Sequence, residues 1–354
     1  MANADGSSAP IHDAPEPFSP TSFDGNPADL IIESSDQVRF WVHWAILMFV
    51  SSTFRDMKTM PQPLSGSDDV NPTHEGRPII CLSEPAVVLQ KFLLLCYPRL
   101  SATRLGLEIV DLDGINGAYE AMEKYDVTGG TAEIEKLLAA PRFVDNEPHR
   151  VFAIACRHGL ESLAKKAAKA TLNTPLFSMY WPTGGPPPEY DVLPAIFLWR
   201  LGIFHQSCCD AVCTLLRESC DTGDLAEVER MNGHSNPYAP TLGYTAVWWT
   251  LDREALGTHH AEGCGPVVST TGTVQPSLWF QAHVKECFEH FHNSADVRVI
   301  APTLAILSPP QENQIDGCGI CLKNARTDLG LWGEEIQVFA SQQIQDILAS
   351  TKFC

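Results

Sequence analysis

The sequence predicts an α+β fold, in which a small sheet with clustered helices is followed by a mainly helical region. Hydrophobic residues make up 44% of the chain and charged residues 19%, as is typical of folded proteins. Strand-like patterns occur mainly near the start of the chain, whereas apolar stripes with helical spacing occupy most of the rest. Because strands and helices do not alternate regularly, the pattern argues against a doubly wound parallel sheet.

The first elements are a hairpin and two short helices. Residues 28–34 predict a strand, Ser35–Gln37 a turn, and residues 38–43 a second strand in which apolar and polar side chains alternate. The two short helices are expected around Trp44–Leu47 and Phe54–Met57. This order places both strands of the hairpin ahead of the first helix.

A third strand and a strongly apolar helix follow a polar loop over residues 61–77. Residues 77–82 predict the strand, and Ser83 is expected to cap the next helix, with Pro85 in its first turn. Two further helices extend to about Leu138. The apolar stripe of the capped helix has helical spacing and consists of Leu89, Phe92, Leu93 and Cys96.

The rest of the chain is predicted to be mainly helical. Residues 147–172 indicate two helices separated at Gly159, and an apolar stripe from Leu193 to Leu215 predicts a long helix. A helix through Phe280 and Phe291 comes next, and a final helix is expected from about Trp332. No repeat with the period of a solenoid is present.

These patterns divide the chain into four parts. The acidic, Pro/Ser-rich residues 1–25 are expected to be disordered. An α+β domain is expected over residues 26–140, a helical region over 141–222, and a mixed or helical region over 223–354.

Charge and cysteine content restrict the partners and the location. The formal net charge of −19 opposes direct binding to nucleic acid, and the densest basic patch is interpreted as a solvated helix face formed by Lys165, Lys166 and Lys169. The sequence shows neither an export signal nor an apolar run long enough to span a membrane. The twelve cysteines lie mostly among apolar neighbours, which indicates reduced thiols. A cytoplasmic or nuclear protein is therefore expected.

Several residues in the first domain occur in the order seen in one known family. The chain resembles a BTB/POZ domain over residues 26–140, and it is similar to the fungal group of these proteins in particular. That family shows an Asp at the head of its first strand, a His closing the second, and then Ser-x-x-Phe-Arg-x-Met. The positions that carry the resemblance are Asp29, His43, Leu47, Ser51, Phe54, Arg55, Met57, Phe92, Tyr97 and Tyr125.

The resemblance implies a non-enzymatic module that binds other proteins. Expected partners are a second copy of the chain or a cullin-type ligase scaffold, with roles as a ubiquitin-ligase substrate adaptor or a nuclear regulatory scaffold. The region over residues 141–222 is then expected to be BACK-like. At position 44, where BTB domains often have a basic residue that lines a pocket, this chain has Trp44.

The strongest chemical signal is the pair Cys318-x-x-Cys321. Two thiolates at this spacing form half of a tetrahedral zinc site, and His260 with Cys264 could supply the other two ligands. Cys287 with His290 is the alternative second pair. The competing interpretation is that Cys318 and Cys321 are ordinary thiols at a helix entry and that no cofactor is bound.

Two further points concern catalysis. Cys208, Cys209 and Cys213 lie on the long helix, where we expect core packing rather than metal binding. The usual hydrolase, phosphate-binding and metalloprotease motifs are missing from the sequence, so no enzymatic activity is expected. A metal-assisted or thiol enzyme centred on the C-terminal Cys and His residues remains the alternative function.

Overall fold

The computed structural model of the chain describes residues 11–22, 26–60, 72–97, 109–173, 185–220, 223–224, 246–249, 251 and 259–354. It divides into two compact units, Met1–Phe143 and Val144–Cys354. The class is mixed α/β, with a small sheet in the first unit and mostly helices in the second, which confirms the coarse prediction. Within the described ranges, no helix has the length and apolarity needed to cross a bilayer.

The N-terminal unit contains the hairpin and third strand that the sequence predicts. Strand β2 pairs antiparallel with β3 and parallel with β5, in a five-stranded sheet of order β1-β3-β2-β5-β4. One face of the sheet buries a cluster of Ala28, Ile31, Trp41 and Ile79. The strands are β1 (His12–Asp13), β2 (Leu30–Glu33), β3 (Val38–Val42), β4 (Thr73–His74) and β5 (Arg77–Cys81).

Helices cover the sheet of this unit and share an aromatic core. The rings of Phe54 and Phe92 lie 5.3 and 5.5 Å from that of Tyr125, and all three side chains are buried. The helices are α1 (Trp44–Val50), α2 (Ser52–Thr59), α3 (Ala86–Cys96), α4 (Ile115–Lys124) and α5 (Gly130–Leu138), and a short helix, α6 (Pro141–Val144), lies at the division between the units.

Residues 11–22 belong to the folded N-terminal unit, which differs from the disorder expected over residues 1–25. Strand β1 pairs with β3, and the indole Nε1 of Trp41 donates a hydrogen bond to Asp13. Phe18 is fully buried, with its ring 5.2 Å from that of Tyr97. Strand pairing, the Trp41–Asp13 hydrogen bond and the buried Phe18 ring together hold this Pro/Ser-rich segment, whose composition alone indicated disorder. The remaining residues of that prediction, 1–10 and 23–25, lie outside the described residues.

Two local predictions in this unit need correction. Helix α3 begins after Pro85, so Ser83 does not cap it; instead Asp36 accepts a hydrogen bond from the Ala86 N–H at 2.8 Å. The polar loop expected over residues 61–77 ends earlier, because Thr73–His74 and Arg77–Cys81 already form strands. Residues 61–71 of that loop lie outside the described part of the chain.

The C-terminal unit is built mostly from helices. It joins the regions 141–222 and 223–354, which the sequence analysis separated, because the long helices of both parts pack together within it from Val144 onward. Its helices are α7 (Pro148–Arg157), α8 (Glu161–Thr171), α9 (Ala195–Glu218), α10 (Leu278–Phe291), α11 (Val297–Leu304), α12 (Pro309–Ile315) and α13 (Gly319–Ser350), with 3₁₀ helices at Pro188–Val192 and Val247–Trp249.

Helix α13 is the central helix of this unit and is longer than predicted. It begins at Gly319 rather than near Trp332, and its buried residues recur at three- and four-residue spacing from Cys321 to Ile344. At Gly333 the backbone of Ala301 on α11 approaches so closely that an added Cβ would lie 3.0 Å from its carbonyl oxygen. Gly333 therefore permits the close packing of α13 against α11.

A small sheet and an aromatic cluster complete the C-terminal unit. Strands β6 (Gly223–Asp224), β7 (Val267–Val268) and β8 (Thr273–Gln275) form a three-stranded sheet. Trp248 stacks on Phe280 with ring centroids 4.2 Å apart, and the Trp332 ring packs against both. These rings connect α10, α13 and the 3₁₀ helix at Val247–Trp249.

Candidate metal centre

Cys318 and Cys321 lie at the start of α13. Cys318 is the N-cap residue, and Cys321 lies in the first helical turn. The backbone N–H groups of a first helical turn have no partner within the helix, and the helix dipole places partial positive charge there. The helix start therefore offers backbone N–H groups and partial positive charge beside both sulfur atoms.

His260 and Cys264 lie on a tight turn. The N–H of Cys264 donates to the carbonyl of Ala261 at 3.0 Å, and Gly263 has a φ of +77°, which favours glycine. Gly265 follows directly, and an added Cβ there would lie 3.3 Å from the His260 imidazole. The two glycines thus allow the turn to place the imidazole and the Cys264 thiol side by side.

The four predicted side chains converge. One potential ligand atom from each of His260, Cys264, Cys318 and Cys321 lies within 4.8 Å of all the others. The Nδ1 atom of His260 is 3.6 Å from Cys318 Sγ and 3.3 Å from Cys321 Sγ. Cys264 Sγ lies 3.3 Å from Cys321 Sγ, well beyond the bond length of a disulfide, which is about 2.05 Å. The cluster is thus a group of free thiols around one imidazole nitrogen.

The electrostatics differ among the three thiols. Burial alone raises the pKa of Cys318, but hydrogen bonds from the N–H groups of Cys321 and Ala261 outweigh it and lower the pKa to about 6. Burial raises the pKa of Cys264 to about 11, and burial together with the neighbouring Cys264 raises that of Cys321 further. Without a metal ion, Cys318 is therefore the thiolate of the group, and the other two sulfurs carry protons at neutral pH.

The alternative second pair is not part of this cluster. Cys287 is buried on α10, and its sulfur faces His283 Nε2 at 3.7 Å. His290 is exposed on the same helix, with its ring against that of Phe291. In the described part of the chain, Cys318 and Cys321 therefore meet His260 and Cys264, not this pair.

The cysteines of the long helix are core residues. Cys208, Cys209 and Cys213 are buried on α9, and burial raises the pKa of each thiol. None of them belongs to a cluster of metal-ligating side chains among the described residues. Their placement agrees with the packing role expected from their apolar neighbours.

The BTB-like signature residues act within the fold of the N-terminal unit. The His43 imidazole contacts the Tyr97 hydroxyl at 3.1 Å and the Asn26 carbonyl at 2.9 Å. Ser51 caps α2 by accepting from the Phe54 N–H, and its hydroxyl donates to the Tyr125 carbonyl. Leu47, Phe54, Phe92, Tyr97 and Tyr125 are buried, Met57 is half-buried, and the exposed Arg55 donates to the Met48 carbonyl.

A further feature of the N-terminal unit is an exposed apolar face on α1, one of the early helices on which apolar interaction strips were expected. The side chains of Ala45, Met48 and Phe49 share this face by their three- and four-residue spacing, opposite the buried Trp44 and Leu47. Phe49 is 85% exposed. The continuous apolar run from Trp44 to Val50 indicates this exposed face. A short helix packs on one side only, so the apolar side chains on its other side remain in solvent.

No protein-family model matches the chain, and none of the curated proteins is similar enough to be matched to it.

Proposed function

We propose that the chain is a non-enzymatic protein-interaction module of BTB/POZ type, and that helix α1 carries its contact surface. The observation that carries the proposal is the exposure of Phe49 on a helix whose opposite side is firmly packed. A contiguous exposed apolar patch, rather than a single exposed side chain, marks an interaction surface in folded proteins. The surface is defined as Ala45, Met48 and Phe49.

The placement of the signature residues supports this assignment. Their polar atoms bond to other parts of the N-terminal unit, as His43 and Ser51 illustrate, and so are used in building the domain. The elements implied by the BTB resemblance occur in the implied order, with two strands, two short helices, a third strand, and a helix ending at Tyr97. The side chains on the exposed face of α1 are apolar, and such a face suits a protein partner better than a small polar substrate.

The proposed partners are other proteins, including a second copy of this chain or a cullin-type ligase scaffold. The net charge of −19 disfavours nucleic acid as a direct partner. All twelve cysteines are free, which fits action in the reducing cytoplasm or nucleus as a ligase adaptor or regulatory scaffold.

The test compares the full-length chain with Phe49→Lys and with Val110→Lys, the latter changing a 72% exposed apolar side chain away from α1. Light scattering measures self-association, and quantitative capture from cell extract measures other protein partners. We expect the wild-type chain and Val110→Lys to form a stoichiometric complex that Phe49→Lys weakens at least tenfold. Equal binding by all three proteins, or a monomer with no stoichiometric partner, would contradict the proposal.

One observation favours the second candidate, a metal-assisted or thiol enzyme. The pKa of Cys318 is lowered to about 6, and reactive thiolates share this property. However, Cys318 is only 1% exposed and Cys321 is fully buried, so a substrate would have difficulty reaching either sulfur. Loss of a measured activity in Cys318→Ser with the fold intact would support this candidate over the interaction module.

A further inference from the structure

We propose that His260, Cys264, Cys318 and Cys321 together bind one Zn²⁺ ion in a structural site closed by four protein ligands. This inference goes beyond the proposed interaction function and does not depend on it. The ligand atoms are Nδ1 of the imidazole and the three Sγ atoms. All three sulfurs bind as thiolates, any protons still on them pass to solvent, and the resulting complex carries a net charge of −1.

The distances between the four atoms fit a tetrahedral zinc ion. With Zn–S bonds of about 2.3 Å and Zn–N bonds of about 2.0 Å, two sulfurs lie about 3.8 Å apart, and sulfur and nitrogen about 3.5 Å. The imidazole nitrogen lies 3.6 Å from Cys318 Sγ and 3.3 Å from Cys321 Sγ, and the sulfurs of Cys264 and Cys321 are separated by 3.3 Å. Because every pair is within 4.8 Å, small side-chain rotations bring all four atoms onto one ion.

The surroundings of the cluster favour thiolate ligands. The N–H of Ala261 points at Cys318 Sγ across 3.5 Å, and such a hydrogen bond offsets negative charge on sulfur. Cys318 and Cys321 also face the positive end of the 32-residue helix α13. Both features partly balance the three thiolates that a zinc ion would hold here.

The ligand chemistry selects among metals. Three soft thiolates and one imidazole suit zinc, whereas magnesium and calcium require oxygen ligands. A site with four protein ligands has no open coordination position for a water or a substrate. Cys264, Cys318 and Cys321 are each at most 4% exposed, which further supports a structural role.

The expected structural consequence follows from the position of the ligands in the chain. Cys264 and Cys321 are 57 residues apart, so one ion would close a long loop and remove conformational freedom from the unfolded chain. It would also fix the turn at Cys264 to the first turn of α13. Because α13 packs against α9 and α11, the ion would help to hold the C-terminal unit together.

The first test uses the full-length wild-type chain, purified without added chelator. Native mass spectrometry and elemental analysis should find about one zinc per chain, and X-ray absorption at the zinc edge should show three sulfur neighbours at about 2.3 Å and one nitrogen at about 2.0 Å. A zinc-free protein, a ligand shell of oxygen and nitrogen, or iron or copper in place of zinc would each overturn the proposal. So would a disulfide between Cys264 and Cys321, which a thiol count on the denatured protein reveals.

Variants of the same chain identify the ligands. Cys264→Ser and Cys318→Ser should each lower the zinc content at least tenfold, whereas Cys287→Ser, which alters another buried cysteine of the same unit, should keep it. Zinc lost from Cys287→Ser but kept by Cys264→Ser would overturn the assigned ligand set. If Cys264→Ser fails to fold, the absorption spectrum of the wild-type protein still decides the proposal.

Discussion

In the N-terminal unit the polar signature side chains hydrogen-bond to the backbone and to one another around an aromatic core, as His43 and Ser51 do. In the C-terminal unit three buried thiols and an imidazole converge. The first arrangement needs nothing beyond the chain to be satisfied. The second leaves four ligand atoms facing one another, which is stable with a metal ion and unfavourable once the thiols ionise without one. The stability of the C-terminal unit should therefore depend on metal, whereas that of the N-terminal unit should depend on packing and hydrogen bonds within the chain.

Metal removal is expected to have the largest effect, and only on the C-terminal unit. A ligand present at a thousand times its dissociation constant stabilises the folded state by about 4 kcal/mol, and a chelator removes that contribution. We therefore expect limited proteolysis within residues 259–354 to become at least tenfold faster with chelator, while residues 26–140 stay protected. Gel electrophoresis with mass spectrometry of the fragments measures both rates.

Cys264→Ser is the matched control for this experiment. Without chelator it should already be cut at the fast rate, and adding chelator should change nothing. Identical digestion of the wild-type chain with and without chelator would mean that Cys318 and Cys321 are ordinary buried thiols and that both units depend on packing alone.

Truncation of the aromatic core tests how strongly the N-terminal unit depends on packing. Phe92→Ala should lower the free energy of unfolding by about 3–5 kcal/mol, because Phe92 is fully buried and its ring contacts Phe54 and Tyr125. Denaturant unfolding of the full-length chain measures the change. Phe49→Ala, on the exposed face of α1, should change it by less than about 0.5 kcal/mol. A loss below about 1 kcal/mol in Phe92→Ala would show that the stripe on α3 is not core.

Acid sensitivity is expected from buried histidines of the C-terminal unit. Burial lowers the pKa of His149 from its usual 6.5 to about 4, and its Nδ1 contacts the Tyr190 hydroxyl at 2.8 Å. Since the unfolded chain binds the proton more readily, stability is fully present above pH 6.5 and falls as the pH drops toward 4. At about 1.4 kcal/mol for each unit of pKa, the loss from His149 is at most about 3 kcal/mol.

His149→Phe separates this contribution from that of the carboxylates. The variant should be less stable than the wild-type chain at pH 7.5, and the difference should shrink as the pH falls to 4.5, because the carboxylates titrate alike in both proteins. Urea unfolding at a series of pH values measures the difference. A difference that does not change with pH would mean that His149 is not held neutral by burial.

Local patterns predicted the N-terminal unit better than the C-terminal one. The hairpin, the third strand and α3 follow from alternation and helical spacing, which depend on neighbouring residues alone. Phe18 could not be placed in the core, because its burial depends on Phe40 and Tyr97, distant in sequence. The start of α13 was missed because Gly319 and Gly330 weaken the local helix signal, and the packing of this stretch against α9 and α11 is tertiary.

The sequence predicted the Cys318 and Cys321 half of the cluster, but it left two candidate pairs to complete the site. The spacing of Cys318 and Cys321 marks half a site by itself, and His260 with Cys264, four positions apart on a glycine-rich turn, offers a second pair. Choosing between that pair and Cys287 with His290 needed the tertiary fold. In the structure α10 turns His290 to the surface while Cys287 faces His283, and this follows from helix packing rather than from spacing.

The smallest expected effect concerns Asp29, which precedes the first strand of the hairpin. Its Oδ1 accepts a hydrogen bond from the Trp44 N–H at 2.8 Å. The N-cap residue of α1, His43, makes no side-chain cap bond, so Asp29 supplies that bond from the preceding strand region. Removing a cap of this kind costs about 1 kcal/mol.

Asp29→Ala should therefore lower the free energy of unfolding by about 1 kcal/mol, whereas Asp29→Asn, which keeps an acceptor oxygen, should recover most of it. Both are measured by denaturant unfolding of the full-length chain. If the two variants lose equally, it is the charge of Asp29 and not its cap bond that stabilises α1, and the unit would then be sensitive to salt as well as to packing.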